Sequence, residues 1–192
     1  MQNIFFTSDQ HFGHNNILKF TDDNNQRIRP LWDNIDDMNN DLVERYNSVV
    51  KPGDKVYFLG DVCMTKNHIH NIGRLNGDKI LIKGNHDRLK LNEYSLYFRD
   101  IRACHIMNNI IFTHIPIHED GRMRYCANVH GHTHQNNLPN KWYINVSVEQ
   151  TNFTPVSFDE ITSRIIKYYN LSSLDQINGL LRQSYANYKK II

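Results

Sequence analysis

"NGDKILIKGNHD", residues 76–87, carries the pattern that decides the fold. Asn76-Gly77 is a turn signal, Ile80-Leu81-Ile82 reads as a short buried strand, and the chain then passes through Gly84 into Asn85, His86 and Asp87. The same order of parts recurs on both sides of this stretch. "NIFFTSDQH" (3–11) ends on Asp9 and His11, and "KVYFLGDV" (55–62) delivers Asp61. Further on, "IIFTH" (110–114) ends on His114 and "VHGHTH" (129–134) on His132 and His134. Imidazole packs poorly, so a strand with three histidines at alternate positions would waste its buried face. These histidines serve chemistry.

Between the apolar runs, Ile35, Met38, Leu42, Val43, Tyr46, Val49 and Val50 fall on one helical stripe that Asp33 or Asn34 can cap. "IRACHIMNNIIFTH" (101–114) reads as a hairpin turning at Asn108-Asn109, and "WYINVSVE" (142–149) as a further strand. Ser157 with Glu160 opens one helix, and Ser173 with Gln176 a last one carrying Leu174, Ile177, Leu181, Tyr185 and Tyr188. Strands alternating with helices, followed by a run of strands, predict an α/β (α+β) fold with helices outside the sheet. In such sheets ligands bind beyond the carboxyl ends of the strands.

Composition sets limits on the rest. The 192 residues suit one domain, 1–192, with a C-terminal helical segment at about 157–192. An apolar share of 40% and a net charge of +2 are ordinary, with no strong electrostatic signature of a nucleic-acid binder. Cys63, Cys104 and Cys126 form no CxxC pair, which fits a reducing compartment. No apolar run approaches the ~20 residues that span a bilayer, and the N-terminus reads as a strand. The expectation is a soluble, cytoplasmic protein.

Carboxylate, amide and imidazole donors without thiolate suit Mn, Fe, Zn, Ni or Co. Seven donors, Asp9, His11, Asp61, Asn85, His114, His132 and His134, exceed what one small ion takes but suit two ions sharing a carboxylate.

Taken in order, "DQH", "GD", "GNHD", "TH" and "GHTH" resemble the signature of the calcineurin-like metallophosphoesterases, over Asp9 to His134. The opening "FTSDQHFGHNNI" resembles the small bacterial and phage-borne members. The resemblance implies a four-layer sandwich, two mixed β-sheets face to face with helices outside. It implies one ion on Asp9, His11, Asp61 and His134, and a second on Asp61, Asn85, His114 and His132, with Asp61 bridging. His86 would be the general acid, with Asp87 orienting or polarising it, and His14 a histidine on the substrate side; Asn85 and His86 would also face substrate. The implied reaction is in-line attack of a metal-held hydroxide on a phosphate ester. No arginine follows Asp61 as it does in the protein phosphatases of that superfamily, which points to a phosphodiesterase or small-molecule phosphatase; the expected activity is that of a phosphodiesterase acting on a nucleotide or similar small molecule. A nuclease acting on DNA or RNA and a non-catalytic scaffold are the alternatives.

The remaining histidines read differently. His68 and His70 belong on a solvated face, His105 in a strand, His118 in a connecting loop, and His130 in support of the ligands. Cys63 reads as a small buried residue, and Arg27, Arg29, Arg122 and Arg124 as solvated loop residues outside the site. Residues 115–128 are the expected lid. The stripe from Leu174 to Tyr188 is expected to pack on its own domain, with an oligomer contact as the other use.

Overall fold

The computed structural model describes residues 2–177 and 181. Two mixed sheets form the framework. The first has five strands in the order β4-β3-β2-β1-β9. Strands β1 (Ile4–Thr7), β2 (Lys55–Phe58), β3 (Asp78–Ile82) and β4 (Asp100–Arg102) run parallel, and β9 (Val156–Ser157) pairs antiparallel with β1. The second sheet orders β5 (His105–Met107), β6 (Ile110–Phe112), β7 (Ala127–His130) and β8 (Tyr143–Asn145), with only β5–β6 antiparallel.

The period-two alternation of the strands divides the core. Phe5, Val56, Phe58 and Leu81 face one way, into a cluster with Met38, Leu42, Val43 and Tyr46 of helix α1 (Ile35–Val49). Their neighbours Phe6, Tyr57, Leu59, Ile80 and Ile82 face the other way, against Ile110, Phe112, Val129 and Ile144 of the second sheet. The Phe6 and Phe112 rings stack with centroids 4.4 Å apart, so the sheets meet face to face.

Local chemistry sets the ends of the elements. Asn34 caps α1 by accepting the Asp37 N–H at 2.9 Å, and Asp36 and Asp37 sit favourably in the first turn. Val49, read as part of the apolar stripe, is instead exposed. Asn108 and Asn109 take φ of 51° and 60°, the left-handed pair that the expected hairpin needs. Short helices α2 (His70–Gly73) and α3 (Leu91–Tyr94) fill connections. Helix α4 (Phe158–Tyr169) starts where Ser157 accepts the Glu160 N–H at 3.1 Å, and stops at Asn170 in the left-handed region. Its Ile161 and Ile165 join the cluster between the sheets.

The expected cap at Ser173 does not form. A single 3-10 turn, Leu174–Gln176, stands there without a side-chain cap, and Gln176 accepts the Ser172 N–H instead. Ile177 and Leu181 pack on the inter-sheet cluster, whereas Tyr185 and Tyr188 lie outside the described residues. Among the described residues no helix is long and apolar enough to cross a membrane.

Candidate metal centre

The parallel strands of both sheets point their carboxyl ends at one edge, and every donor named from the sequence leaves from one of those ends. Asp9 and His11 follow β1, Asp61 follows β2, and Asn85 to Asp87 follow β3. His114 follows β6, and His132 and His134 follow β7. To turn across the edge, Asp9, His11, Asp61, His132 and His134 adopt φ between 48° and 69°. Such left-handed backbone costs non-glycine residues of the order of 1–3 kcal/mol each and concentrates at functional sites. Two glycines permit the close approach. A Cβ on Gly84 would fall on Asp61, and one on Gly131 on Ser8 and the Asp9 carboxylate.

Two donor groups result, Asp9–His11–His134 and Asp61–His114–His132, each with its candidate ligand atoms within 4.8 Å of one another. His11 Nε2 and His134 Nε2 both lie 3.9 Å from Asp9 Oδ1. Asp61 Oδ2 lies 3.7 Å from His11 Nε2 and 3.3 Å from His114 Nε2, so one oxygen faces both groups. Asn85 Oδ1, 2.8 Å from His114 Nε2, completes the second group.

The two carboxylates are prepared alike. Asp9 Oδ2 accepts from the His132 N–H and the Ser147 hydroxyl, each at 2.9 Å. Asp61 Oδ1 accepts from the His86 N–H at 2.7 Å. In each residue the other oxygen is left facing the imidazoles. Asp9 Oδ1 and His11 Nε2 are buried without a hydrogen-bond partner among the described residues, a costly state that a cation between them would relieve. Burial lifts the Asp9 carboxyl above its ordinary value, and burial with the Arg29 charge drives the His11 imidazole well below its own. His11 is thereby kept neutral, the form that binds metal. For His114, burial opposes protonation, but Asp61 and Asp9 lift its pKa above the usual value. Its Nδ1 donates to the Leu59 carbonyl at 2.7 Å, leaving Nε2 among oxygens where a metal ion could replace the proton. The residues therefore fit a pair of ions.

His14 and His86 flank the same group, with ring centroids 5.4 and 5.6 Å from that of His11. Asp87 does not polarise His86. Its oxygens accept the backbone N–H groups of Asp61 (2.8 Å), Val62 (2.9 Å) and Gly84 (2.9 Å), while His86 Nδ1 has no partner among the described residues. Its place between two strand ends makes it a clamp on the Asp61 loop. His130 is buried in β7 with Nδ1 donating to the Gly131 carbonyl, and burial lowers its pKa to about 4. His68, placed on a solvated face from the sequence, is half-buried beneath Gly13 and bonds Asn39, whereas His70 is exposed. Within the expected lid, the Ile117 N–H and carbonyl are tied to Asn128 and Tyr143. Ile115 there borders a cavity of about 370 Å³ with Lys83, Asn85 and His114.

Three residues of the site were missed. Arg29, taken for a solvated loop residue, is completely buried. Its guanidinium donates to the carbonyls of Asp9 (2.5 Å) and Gln10 (2.8 Å) and to Glu149 Oε1 (2.7 and 2.9 Å). Glu149 Oε1 also accepts from His134 Nδ1 at 2.9 Å. Burial would raise the Glu149 pKa, but Arg29 and His134 hold it down at about 2. Ser147 and Glu149 follow β8, a sixth strand end on the same edge. "NVSVE" continues the grammar of the other ends, the one signal that could have found them.

Fold and site together define an α/β protein with a paired histidine–carboxylate centre at the junction of two sheets. No family model matches the chain. It is 34% identical over 187 residues to the uncharacterized protein MJ1445 of Methanocaldococcus jannaschii, covering 87% of this chain and 93% of that protein. The chain belongs to the family of that protein. Gene 66 protein of Mycobacterium phage L5 is 38% identical over 92 residues, 45% of this chain and 41% of the phage protein. Among solved structures, the protein of unknown function AQ665 from Aquifex aeolicus superposes with a TM-score of 0.65 at 26% identity, over 84% of this chain and 98% of that one.

Proposed function

We propose that the protein is a dinuclear metal-dependent phosphoesterase of the calcineurin-like type, hydrolysing a phosphodiester in a nucleotide or similar small molecule. The observation that carries this reading is the single oxygen of Asp61 that faces His11 and His114 at 3.7 and 3.3 Å. Asp9, His11, Asp61 and His134 would hold one ion; Asp61, Asn85, His114 and His132 would hold the other. Bound there, two ions drawn from Mn, Fe, Ni, Zn or Co would supply Lewis acidity towards phosphate oxygens and lower the pKa of water.

The chain's own residues do the rest. Asp61 and Asp9 keep the donor groups in register, each with one oxygen pinned by a backbone N–H. His86 and His14, half-buried beside His11, would face the ester. His86, so placed and with no partner for its Nδ1 among the described residues, serves as the acid that protonates the departing alkoxide. The cavity beside Asn85 and His114 has room for the second substituent of a diester, and exposed Lys83 on its rim suits an anionic one. Three unpaired cysteines suit a reducing, cytoplasmic setting.

The test is turnover of an activated phenyl phosphodiester by metal-free protein supplied in turn with manganese, nickel and other divalent ions. Hydrolysis that depends on metal is expected. A folded protein inert with every ion would refute the proposal.

A further inference from the structure

The Arg29–Glu149 pair has no part in the proposed chemistry, yet it is built into one side of the centre. Glu149 is 120 residues from Arg29 along the chain, and both side chains are buried. The guanidinium holds Glu149 Oε1 with two N–H groups while also holding the carbonyls of Asp9 and Gln10. The same Glu149 oxygen accepts from His134 Nδ1, which turns His134 Nε2 towards Asp9 Oδ1. One cation thus fixes the backbone of Asp9 and the carboxylate that orients His134. Both belong to the Asp9–His11–His134 group. Ser147 adds a third fastening by donating to Asp9 Oδ2.

In the other group the Asp87 carboxylate holds backbone N–H groups of the Asp61 loop, but no carboxylate accepts from the Nδ1 of His114. His114 Nδ1 donates to the Leu59 carbonyl, and Asn85 is exposed. A carboxylate behind a ligating imidazole fixes its tautomer and raises its basicity, and removing such a partner typically costs about 10–100-fold in metal affinity.

We propose that Glu149, clamped by Arg29, is a positioning residue that acts through His134 and makes the Asp9–His11–His134 site the tighter of two unequal metal sites. The inference rests on the dinuclear reading above and adds an order of filling. The well-fastened site loads first, and the Asp61–Asn85–His114–His132 side takes the second, exchangeable ion.

The experiment is calorimetric titration of chelator-treated full-length protein with manganese, paired with electron paramagnetic resonance at one equivalent. The unaltered chain should show two separated binding events, with an uncoupled manganese signal at one equivalent. Glu149→Gln keeps an acceptor for His134 but removes the charge. It should weaken the tighter event about 10–100-fold and leave the other in place, so that exchange-coupled pairs appear already at one equivalent. Glu149→Asp, which keeps the charge but draws it back from His134, should weaken the same event to a lesser degree. It keeps the test available if Glu149→Gln does not fold. Unchanged affinities, or equal losses at both sites, would overturn the proposal while sparing the dinuclear reading. Failure of the unaltered chain to bind manganese would overturn both.

Discussion

The two sheets bring unlike chemistry to a shared edge. The five-stranded sheet supplies both carboxylates, the amide oxygen and one imidazole, through Asp9, Asp61, Asn85 and His11. The four-stranded sheet supplies imidazoles alone as donors, His114, His132 and His134, with Ser147 and Glu149 behind them. Neither sheet completes a donor group by itself: each group takes carboxylate from the first and imidazole from the second. Metal binding and the packing of the sheets should therefore behave as one equilibrium, and the predictions bear on that coupling.

The largest effect is expected at Asp61, whose free oxygen faces histidines of both sheets. Asp61→Ala should lose bound metal, read by elemental analysis, and lose more activity than His86→Ala. The latter should keep its metal and fall about 10²–10⁴-fold with poor leaving groups, less with activated ones. Metal loss in both variants alike would show His86 to be a ligand. Next is the buried ion pair. Arg29→Met leaves Glu149 without its cation and should cost about 3–5 kcal/mol in urea unfolding. A neutral outcome would mean that water reaches this side of the site.

Saturating metal should tie the sheets together. At one hundred times the dissociation constant, manganese is expected to add about 2.7 kcal/mol of stability, and none in Asp61→Ala. Equal melting temperatures with and without metal would separate binding from sheet packing. Gly131→Ala places a methyl group against Ser8 and Asp9 across the sheet junction and should cost about 1–3 kcal/mol. Gly53→Ala meets nothing within 4 Å and should stay within about 0.5 kcal/mol.

A further effect is read on acid stability. The Glu149 pKa lies at about 2 in the fold against an ordinary 4.5, so its contribution is full above 4.5 and lost as pH falls towards 2. Glu149→Gln should flatten that limb of the urea-midpoint profile. An unaltered limb would place the acid sensitivity elsewhere.

Much of this comparison could be read from the chain. Asp and His stationed just past apolar runs located five strand ends, because a buried strand must be apolar and its first free residues need not be. The short apolar run through Phe5 and Phe6 read as a buried strand, and the two residues are covered on opposite faces. The sixth end was hidden because the Val148 between Ser147 and Glu149 makes "VSVE" look like ordinary strand alternation, and serine and glutamate are common on surfaces. Arg29 was hidden for a related reason. An arginine in a loop is normally solvated, and only the three-dimensional meeting of Asp9, Gln10 and Glu149 gives it enough acceptors to be buried. Asp87 took its role on His86 from the family resemblance, whereas its partners are backbone groups on the adjacent strand end.

Anomalous diffraction from a crystal soaked in manganese tests the central claim most directly. Two peaks about 3.5–4 Å apart, with Asp61 between them and one imidazole-bearing loop of the second sheet on each, are the predicted result. A single peak on one sheet, or none, would contradict it.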